Sequence, residues 1–325
     1  MTRALVPALL WSITTAFSAL SGLAFAADAN QDLALEPEKA GADFTLQGEY
    51  EAAAGDKLGV QVIALGGGTF RACIENGGLP GAGWDGMGKT EIEGKAEAGK
   101  LTLAGKGWSV AIADGALTAV EEATKRSVQL KHVLRESPTL GAKPPAGAIV
   151  LFDGSGTDAW EGSMDERKLL KYGATSKQKF TNFTIHLEFR LPFKPYGRGQ
   201  DRGNSGLYFQ HRYECQVLDS FGLKGENNEC GGIYTIAKPK VNMCFPPLSW
   251  QTYDADFTAA TWAEGKKTAN AKVTIRHNGV VIHEQQEIPK NTGGGKEESA
   301  EPSEFYLQDH GNPTFYRNIW VLEKK

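Results

Sequence analysis

The segment VTIRHNGVVIHE, residues 273–284, constrains the fold more than any other stretch of this 325-residue chain. Apolar and polar residues alternate on both sides of Asn278-Gly279. Asn-Gly is the pair that best supplies the two positive φ angles of a tight hairpin turn. Period-two alternation on either flank then means two antiparallel strands with one buried face. The pattern recurs along the chain. KLGVQVIAL (57–65), GTFRACIE (68–75), KLTLAGKG (100–107), WSVAIADGALTAV (108–120) and RSVQLKHVL (126–134) read as strands, with Asp114-Gly115 as a second hairpin turn and no helix-length pattern among them. FTNFTIHLEFRLP (180–192), NSGLYFQH (204–211), RYECQVLDS (212–220), SWQTYDADFTAA (249–260), EFYLQDH (304–310) and FYRNIWVLE (315–323) continue the series. The last two read as a closing hairpin around Gly311-Asn312-Pro313. The fold class is all-β: a small antiparallel β domain followed by an antiparallel sandwich.

Breaks in composition set the expected domains. Arg3 precedes an uncharged apolar run ending in Ala24-Phe25-Ala26, the small-x-small pattern of a secretory signal peptide cleaved after Ala26. The competing reading of residues 1–26 is an uncleaved anchor. Cleavage predicts a periplasmic or secreted protein with no stable membrane insertion. Residues 27–40 are polar and read as a flexible leader. Residues 41–135 form the small β domain. The Pro/Gly-rich stretch 136–147 is the linker, and 148–325 is the sandwich. Residues 291–303, NTGGGKEESAEPS, read as a mobile surface loop. A formal charge of −4 gives no basic excess for a phosphate backbone, so nucleic acid is excluded as a partner. Of the four cysteines, Cys230 and Cys244 lie in loop-like sequence and are the disulfide candidates; Cys73 and Cys215 read as buried thiols. His277 and His283 flank the Asn-Gly turn, as exposed hairpin residues or a weak metal site.

Chemistry concentrates in two places. In RYECQVLDSFG, Tyr213, Cys215 and Val217 point to a core, and Glu214 and Gln216 point the other way, toward a groove. Asp219 needs a bulge or turn to join them. Glu214 with Asp219 would supply two carboxylates for acid–base work; the plain alternative is an ordinary wet sheet face. Upstream, Asn204 and His211 bracket a strand, as hydroxyl ligands or as turn and strand-end residues. Downstream, Tyr234, Asn242 and Trp250 lie in a long Gly/Pro-rich stretch whose aromatic and amide mixture suits a saccharide site. The second place is LQDHGNPTFYRNIWV. Gln308 and His310 share one face with Tyr306; Asp309 shares the other with Phe305 and Leu307. Arg317 lies with Phe315 and Ile319, as a clamp on Asp309 or an oxyanion contact.

Taken in order, VLFDG…W, FTIHLEFRLP, GNSGLYFQHRYECQVLDSFG, GGIY, W-QTYD, NGVVIH and LQDHGNP…YRNIWV resemble the 3-keto-disaccharide hydrolase-like domain over roughly 148–325. The added N-terminal β domain and its linker resemble the arrangement in planctomycete members. The resemblance implies a concanavalin A-like jelly-roll sandwich, similar to laminarinase-type hydrolases. It places Glu214, Gln216 and the 308–310 segment along the concave face. It also implies a saccharide substrate, namely glycosides already oxidised to a ketone at carbon 3. The laminarinase-type Glu-x-Asp-x-x-Glu strand is absent, which weighs against retaining hydrolysis by two carboxylates about 5–5.5 Å apart. The expected reaction is proton abstraction at carbon 2, elimination of the glycosidic oxygen and hydration. Glu214 or Asp219 is the expected base and His310 the acid. Arg317 or a divalent cation such as calcium would face the oxyanion. The alternatives are a non-catalytic carbohydrate-binding module and an ordinary glycoside hydrolase.

Overall fold

The structure is a computed structural model and describes Met1 and residues 30–53, 55–97 and 99–324. The predicted signal segment falls outside the described residues. No helix among them is long and apolar enough to cross a membrane.

A short helix, α1 (Gly41–Leu46), leads into eight strands: β1 (Gly48–Ala52), β2 (Leu58–Gly66), β3 (Thr69–Asn76), β4 (Thr90–Glu97), β5 (Lys100–Gly105), β6 (Trp108–Ala113), β7 (Ala116–Glu121) and β8 (Ser127–Val133). They pair antiparallel in chain order, and β1 closes on β8, so the small β domain is a closed up-and-down barrel. Closure removes exposed sheet edges. Every second residue fills the interior, as Val60, Val62 and Ala64 do on β2 and Phe70, Ala72 and Ile74 on β3. Asp114-Gly115 turns β6 into β7 with both φ angles positive.

Fourteen strands follow: β9 (Ile149–Phe152), β10 (Trp160–Glu161), β11 (Leu170–Lys171), β12 (Ala174–Phe180), β13 (Phe183–Arg190), β14 (Ser205–Phe209), β15 (Tyr213–Val217), β16 (Trp250–Thr258), β17 (Thr261–Ala263), β18 (Lys266–Ala269), β19 (Ala271–His277), β20 (Val280–Ile288), β21 (Ser303–Leu307) and β22 (Phe315–Glu323). One sheet has five strands in the order β10-β12-β21-β14-β15. The other runs β11-β22-β13-β16-β19-β20, with β9 beside β22, and β17-β18 form a separate ribbon. The inward faces of the two sheets share a single apolar core, with Phe183, Phe257, Phe209 and Phe305 packed ring on ring. This is the expected all-β sandwich.

Several local expectations change. EFYLQDH and FYRNIWVLE do not pair: β21 belongs to the five-stranded sheet and β22 to the larger one, so residues 308–314 cross between sheets. A register shift in β22, with Asn318 at φ 45°, puts Arg317, Asn318 and Trp320 on the sheet's outer face and Ile319 in the core. His277 and His283 are buried, not exposed. His277 Nε2 meets Gln251 Oε1 at 2.9 Å, and His283 Nε2 meets the Gly231 carbonyl at 2.7 Å. Cys230 and Cys244 are free thiols, with Cys230 Sγ against the Tyr253 hydroxyl at 3.2 Å and Cys244 Sγ toward the Leu218 carbonyl. The described part of the leader is docked: Ala34 bridges Phe193, and Glu36 binds Arg167 and Arg190.

The linker is docked too. Gly141 N–H donates to Glu188 Oε1 (2.6 Å) and Thr139 Oγ1 to Asp254 Oδ2 (2.6 Å), while Asn318 and Trp320 donate to the Ala142 carbonyl. Glu188 also accepts from Arg317 Nε at 2.6 Å and Asn318 Nδ2 at 2.9 Å. Burial pushes its carboxyl up, but hydrogen bonds from His186, Asn318, Gly141 and Arg317 prevail and hold it at about 2. Barrel and sandwich meet at a dry seam. Ile63 and Cys73 of the barrel join the sandwich core, and Phe193 and Leu248 of the sandwich join the barrel core. At its centre Arg202 Nε pairs with Asp219 Oδ2 at 2.7 Å, and its Nη2 reaches the barrel carbonyl of Ala64 at 3.1 Å. Asp219→Ala would strand a buried guanidinium and is expected to cost about 3–5 kcal/mol. The double replacement Arg202→Met/Asp219→Leu should cost less. Urea unfolding of both checks this; a larger loss in the double variant would refute it.

Candidate functional site

A cleft of about 190 Å³ opens on the outward face of the five-stranded sheet, lined among others by Asn204, Glu214, Gln216, Tyr234, Gln308 and His310. Antiparallel register brings the groups together. Tyr208 on β14 stands opposite Glu214 on β15 and Tyr306 on β21; Gly206 stands opposite Gln216. Same-face neighbours across strands are in contact range. The Tyr208 hydroxyl lies 2.9 Å from Glu214 Oε2 and 2.8 Å from the Gly293 carbonyl, and it accepts from Gln308 Nε2 at 3.1 Å. A Cβ at Gly206 would overlap Glu214 Oε1, so a larger residue there would have to displace that carboxyl.

The hairpin joining β14 to β15 sets this register without a glycine. Gln210 and His211 both have φ of 52°, a conformation that L side chains hold only when their surroundings fix it. Those surroundings are visible. Gln210 donates to the Phe180 carbonyl, Arg212 donates to Gln210, and His211 stacks on Tyr306 at 4.5 Å. Burial holds the His211 imidazole below its ordinary range.

Residues 291–303 are a pinned wall rather than a loose loop. Arg212 donates to the carbonyls of Glu297 and Glu301 and to Ser299, while Thr292 and Lys296 backbone N–H groups return to Arg212 and His211. Thr292 Oγ1 accepts from Glu214 N–H at 2.9 Å. Gly293 and Gly294 line the cleft, and their N–H groups form no hydrogen bond among the described residues.

Glu214 is 2% exposed, and burial pushes its carboxyl up to about 8, against the lowering effect of the Tyr208 hydrogen bond. Burial, with Glu214 alongside, also raises the Tyr208 phenol. The protonated carboxyl can donate to Tyr208, which then donates to Gly293; the ionised carboxylate accepts from Tyr208 instead. Two buried amide oxygens in the cleft, Asn204 Oδ1 and Gln308 Oε1, have no hydrogen-bond partner among the described residues. Asn204 is anchored through its nitrogen to Gln200, which also receives Gln216 Nε2 at 2.9 Å.

The structure gathers Asn204, Glu214, Gln216, Tyr234, Gln308 and His310, and leaves the other candidates elsewhere. Asp219 is the seam partner of Arg202. Arg317 lies on the opposite sheet, bound to Glu188 and 3.9 Å over the Trp250 ring, not to Asp309. Trp250 is therefore a packing partner of Arg317 and Arg190. Asn242 is buried on the Ser220 and Leu223 carbonyls. His211 is a turn residue. Tyr208, Gln200 and Gly293-Gly294 escaped sequence reasoning. Tyr208 has the parity of Gly206 in NSGLYFQH, but its register to Glu214 depends on the glycine-free turn.

Residues 147–322 match the 3-keto-alpha-glucoside-1,2-lyase-like domain family. The chain belongs to that family. A proposed glycosyl hydrolase of Parabacteroides distasonis ATCC 8503 is 33% identical over 55% of this chain and 85% of its own, with a TM-score of 0.51. Two further proposed glycosyl hydrolases of that organism, 18% and 15% identical, cover 59% and 55% of this chain and 99% of their own at TM-scores of 0.39 and 0.38. No curated protein matches. In this member of the lyase-like family, the cleft lies wholly within the matched residues.

The raised Glu214 carboxyl has a measurable consequence. A folded value near 8 lies above the unfolded value of about 4.3. The native state therefore holds an extra proton between them, and stability is full below about pH 4.3 and declines as pH rises toward about 8. Glu214→Gln removes that slope. Urea unfolding across pH 4–9 should show the wild type losing ground to Glu214→Gln over this window, and parallel curves would refute the assignment.

Proposed function

We propose that the cleft cleaves glycosidic bonds of 3-keto-glucosides by elimination and hydration. The carrying observation is a single buried carboxyl, which burial pushes up to about 8, in the same cleft as the exposed His310. The family assignment supports the substrate class.

The ketone acidifies the proton on carbon 2. His310, exposed in the same cleft, takes it. The C–H electron pair becomes the enolate C2=C3 bond. Its collapse forms C1=C2 and breaks the C1–O bond. Glu214 protonates the departing oxygen, and water then adds hydroxyl to carbon 1 and a proton to carbon 2. This reverses the roles expected from sequence. Burial keeps the Glu214 proton in place, which suits an acid. Tyr208, itself held by Gln308 Nε2, fixes the carboxyl, and Gly293 and Gly294 N–H groups are the free donors for the enolate oxygen. Asn204 Oδ1 and Gln308 Oε1 are acceptors for sugar hydroxyls, which would relieve their unpaired burial.

A divalent cation fits the cleft poorly. It would find one carboxyl that burial favours neutral, one imidazole and two amide oxygens. Among the described residues no group of three His, Cys, Asp or Glu could hold a metal. No step is routed through one. Retaining hydrolysis lacks its second carboxylate, because Asp219 is at the seam.

Purified protein should cleave a 3-keto-disaccharide and leave the unoxidised disaccharide intact, with or without chelator. Glu214→Gln and His310→Ala should each lower turnover about 10²–10⁴-fold. Because Glu214 acts protonated, the wild-type rate should fall as pH rises through about 8. Unchanged turnover in Glu214→Gln, or equal cleavage of the native sugar, would overturn the proposal. Binding of both sugars without cleavage would make the domain a carbohydrate-binding module.

A further inference from the structure

A second cavity, of about 320 Å³, opens at the wet edge of the barrel–sandwich seam. That is the small end of the ligand-pocket range, roughly 300–1,000 Å³. The barrel contributes Trp84 to Lys89 of the loop between β3 and β4, and Glu91 of β4; the sandwich contributes residues 224–226 and 238–241. Nothing in the cleft chemistry uses it.

Its walls are uneven in charge. Lys89 is committed to the protein, with Nζ 2.8 Å from Glu75 and 3.0 Å from Gln61 Oε1, and it lies 5.2 Å from the Trp84 ring centroid. The indole N–H donates to the Gly88 carbonyl at 3.2 Å, so the half-buried ring is held from two sides. Lys240 is paired with Glu284 at 2.7 Å. Lys224 and Lys238 are exposed and have no ion pair or hydrogen-bond partner among the described residues. Against these two free ammonium groups the wall has one unpaired carboxylate, Glu226; Glu91 lies 3.9 Å from Arg71. A fixed indole beside two uncommitted cations favours a ligand that is flat and apolar on one side and negative at its edge. A sugar ring presents C–H groups to an aromatic face, and a carboxylate or sulfate on it would meet the lysines.

We propose that this seam pocket binds a saccharide ring carrying an anionic group, with Trp84 against the ring and Lys224 and Lys238 on the anion. The pocket would hold one unit of an acidic glycan, in a site separate from the cleft.

Isothermal titration of the mature chain with trigalacturonate and with a sulfated chondroitin disaccharide tests this, with maltotriose as the neutral control. At least one anionic probe should bind, and less tightly as salt is raised. Trp84→Ala and Lys224→Glu/Lys238→Glu should each weaken it by about tenfold or more, with unchanged thermal midpoints. The surface lysine pair keeps the test valid if Trp84→Ala does not fold. Gln308→Ala, in the cleft, should leave this binding intact. Binding of trigalacturonate shows that a carboxylate suffices; binding of the chondroitin disaccharide alone, which also carries a uronate, assigns the anion as sulfate. Failure of both probes on the wild type, binding that survives both seam variants, or loss in Gln308→Ala would overturn the proposal. So would maltotriose binding as tightly as the acidic sugars.

Discussion

The Arg202–Asp219 pair is the interaction on which the functional end of the molecule depends. Asp219 follows β15, so its carboxylate holds the chain as it leaves the strand that carries Glu214. Arg202 closes the loop that supplies Gln200 and Asn204, and its remaining donors reach the Pro195 carbonyl and the barrel's Ala64. One buried guanidinium thus ties the barrel, a wall of the cleft and the end of β15, the strand that carries Glu214. A buried pair of this kind adds little stability over an apolar substitute, but breaking half of it is costly. Its value here is positional: the barrel becomes part of the scaffold that sets the cleft's shape.

Glu214 is the opposite case, a carboxyl buried without a charged partner. Among the described residues its carboxyl pairs only with the Tyr208 phenol, so its burial favours the proton. The sheet accommodates it by leaving position 206 without a side chain. A stability-driven sequence would place a packed residue there. The arrangement is therefore better explained by chemistry than by folding.

Much of the fold was legible because hairpin grammar is local. Asn278-Gly279 and Asp114-Gly115 form the predicted turns, and the parity of β15 correctly separated Glu214 and Gln216 from Tyr213 and Cys215. What was hidden is non-local. Nothing in residues 304–323 distinguishes a hairpin from a crossover between sheets, because both use alternating strands around a Gly-Asn-Pro bend. The Gln210-His211 turn is held by Phe180, Arg212 and Tyr306 rather than by its own residue types, so its register was invisible. The 291–303 segment has a loose composition and a fixed position, because Arg212 supplies the hydrogen bonds that its own sequence does not. Arg317 was misplaced because β22 joins the larger sheet instead of pairing with β21, while the register shift just beyond it reverses the parity of Ile319 and the residues that follow.

That displacement bears on the chemistry. With Arg317 used to hold Glu188 under the linker, none of the residues lining the cleft is an arginine or lysine. A cation beside the ketone would stabilise an enolate, but within a few ångströms of Glu214 it would also favour the carboxylate over the acid. The molecule would then lose the proton that the leaving oxygen requires. Neutral donors avoid the conflict. Backbone N–H groups at Gly293 and Gly294 can face developing negative charge while adding little to the field at Glu214, and in a partly dry cleft such dipoles act more strongly than in water. On the proposed chemistry, the absence of a cation among the described lining residues and the raised carboxyl are two aspects of one electrostatic arrangement: an acid kept neutral by burial is matched by an oxyanion site built from dipoles.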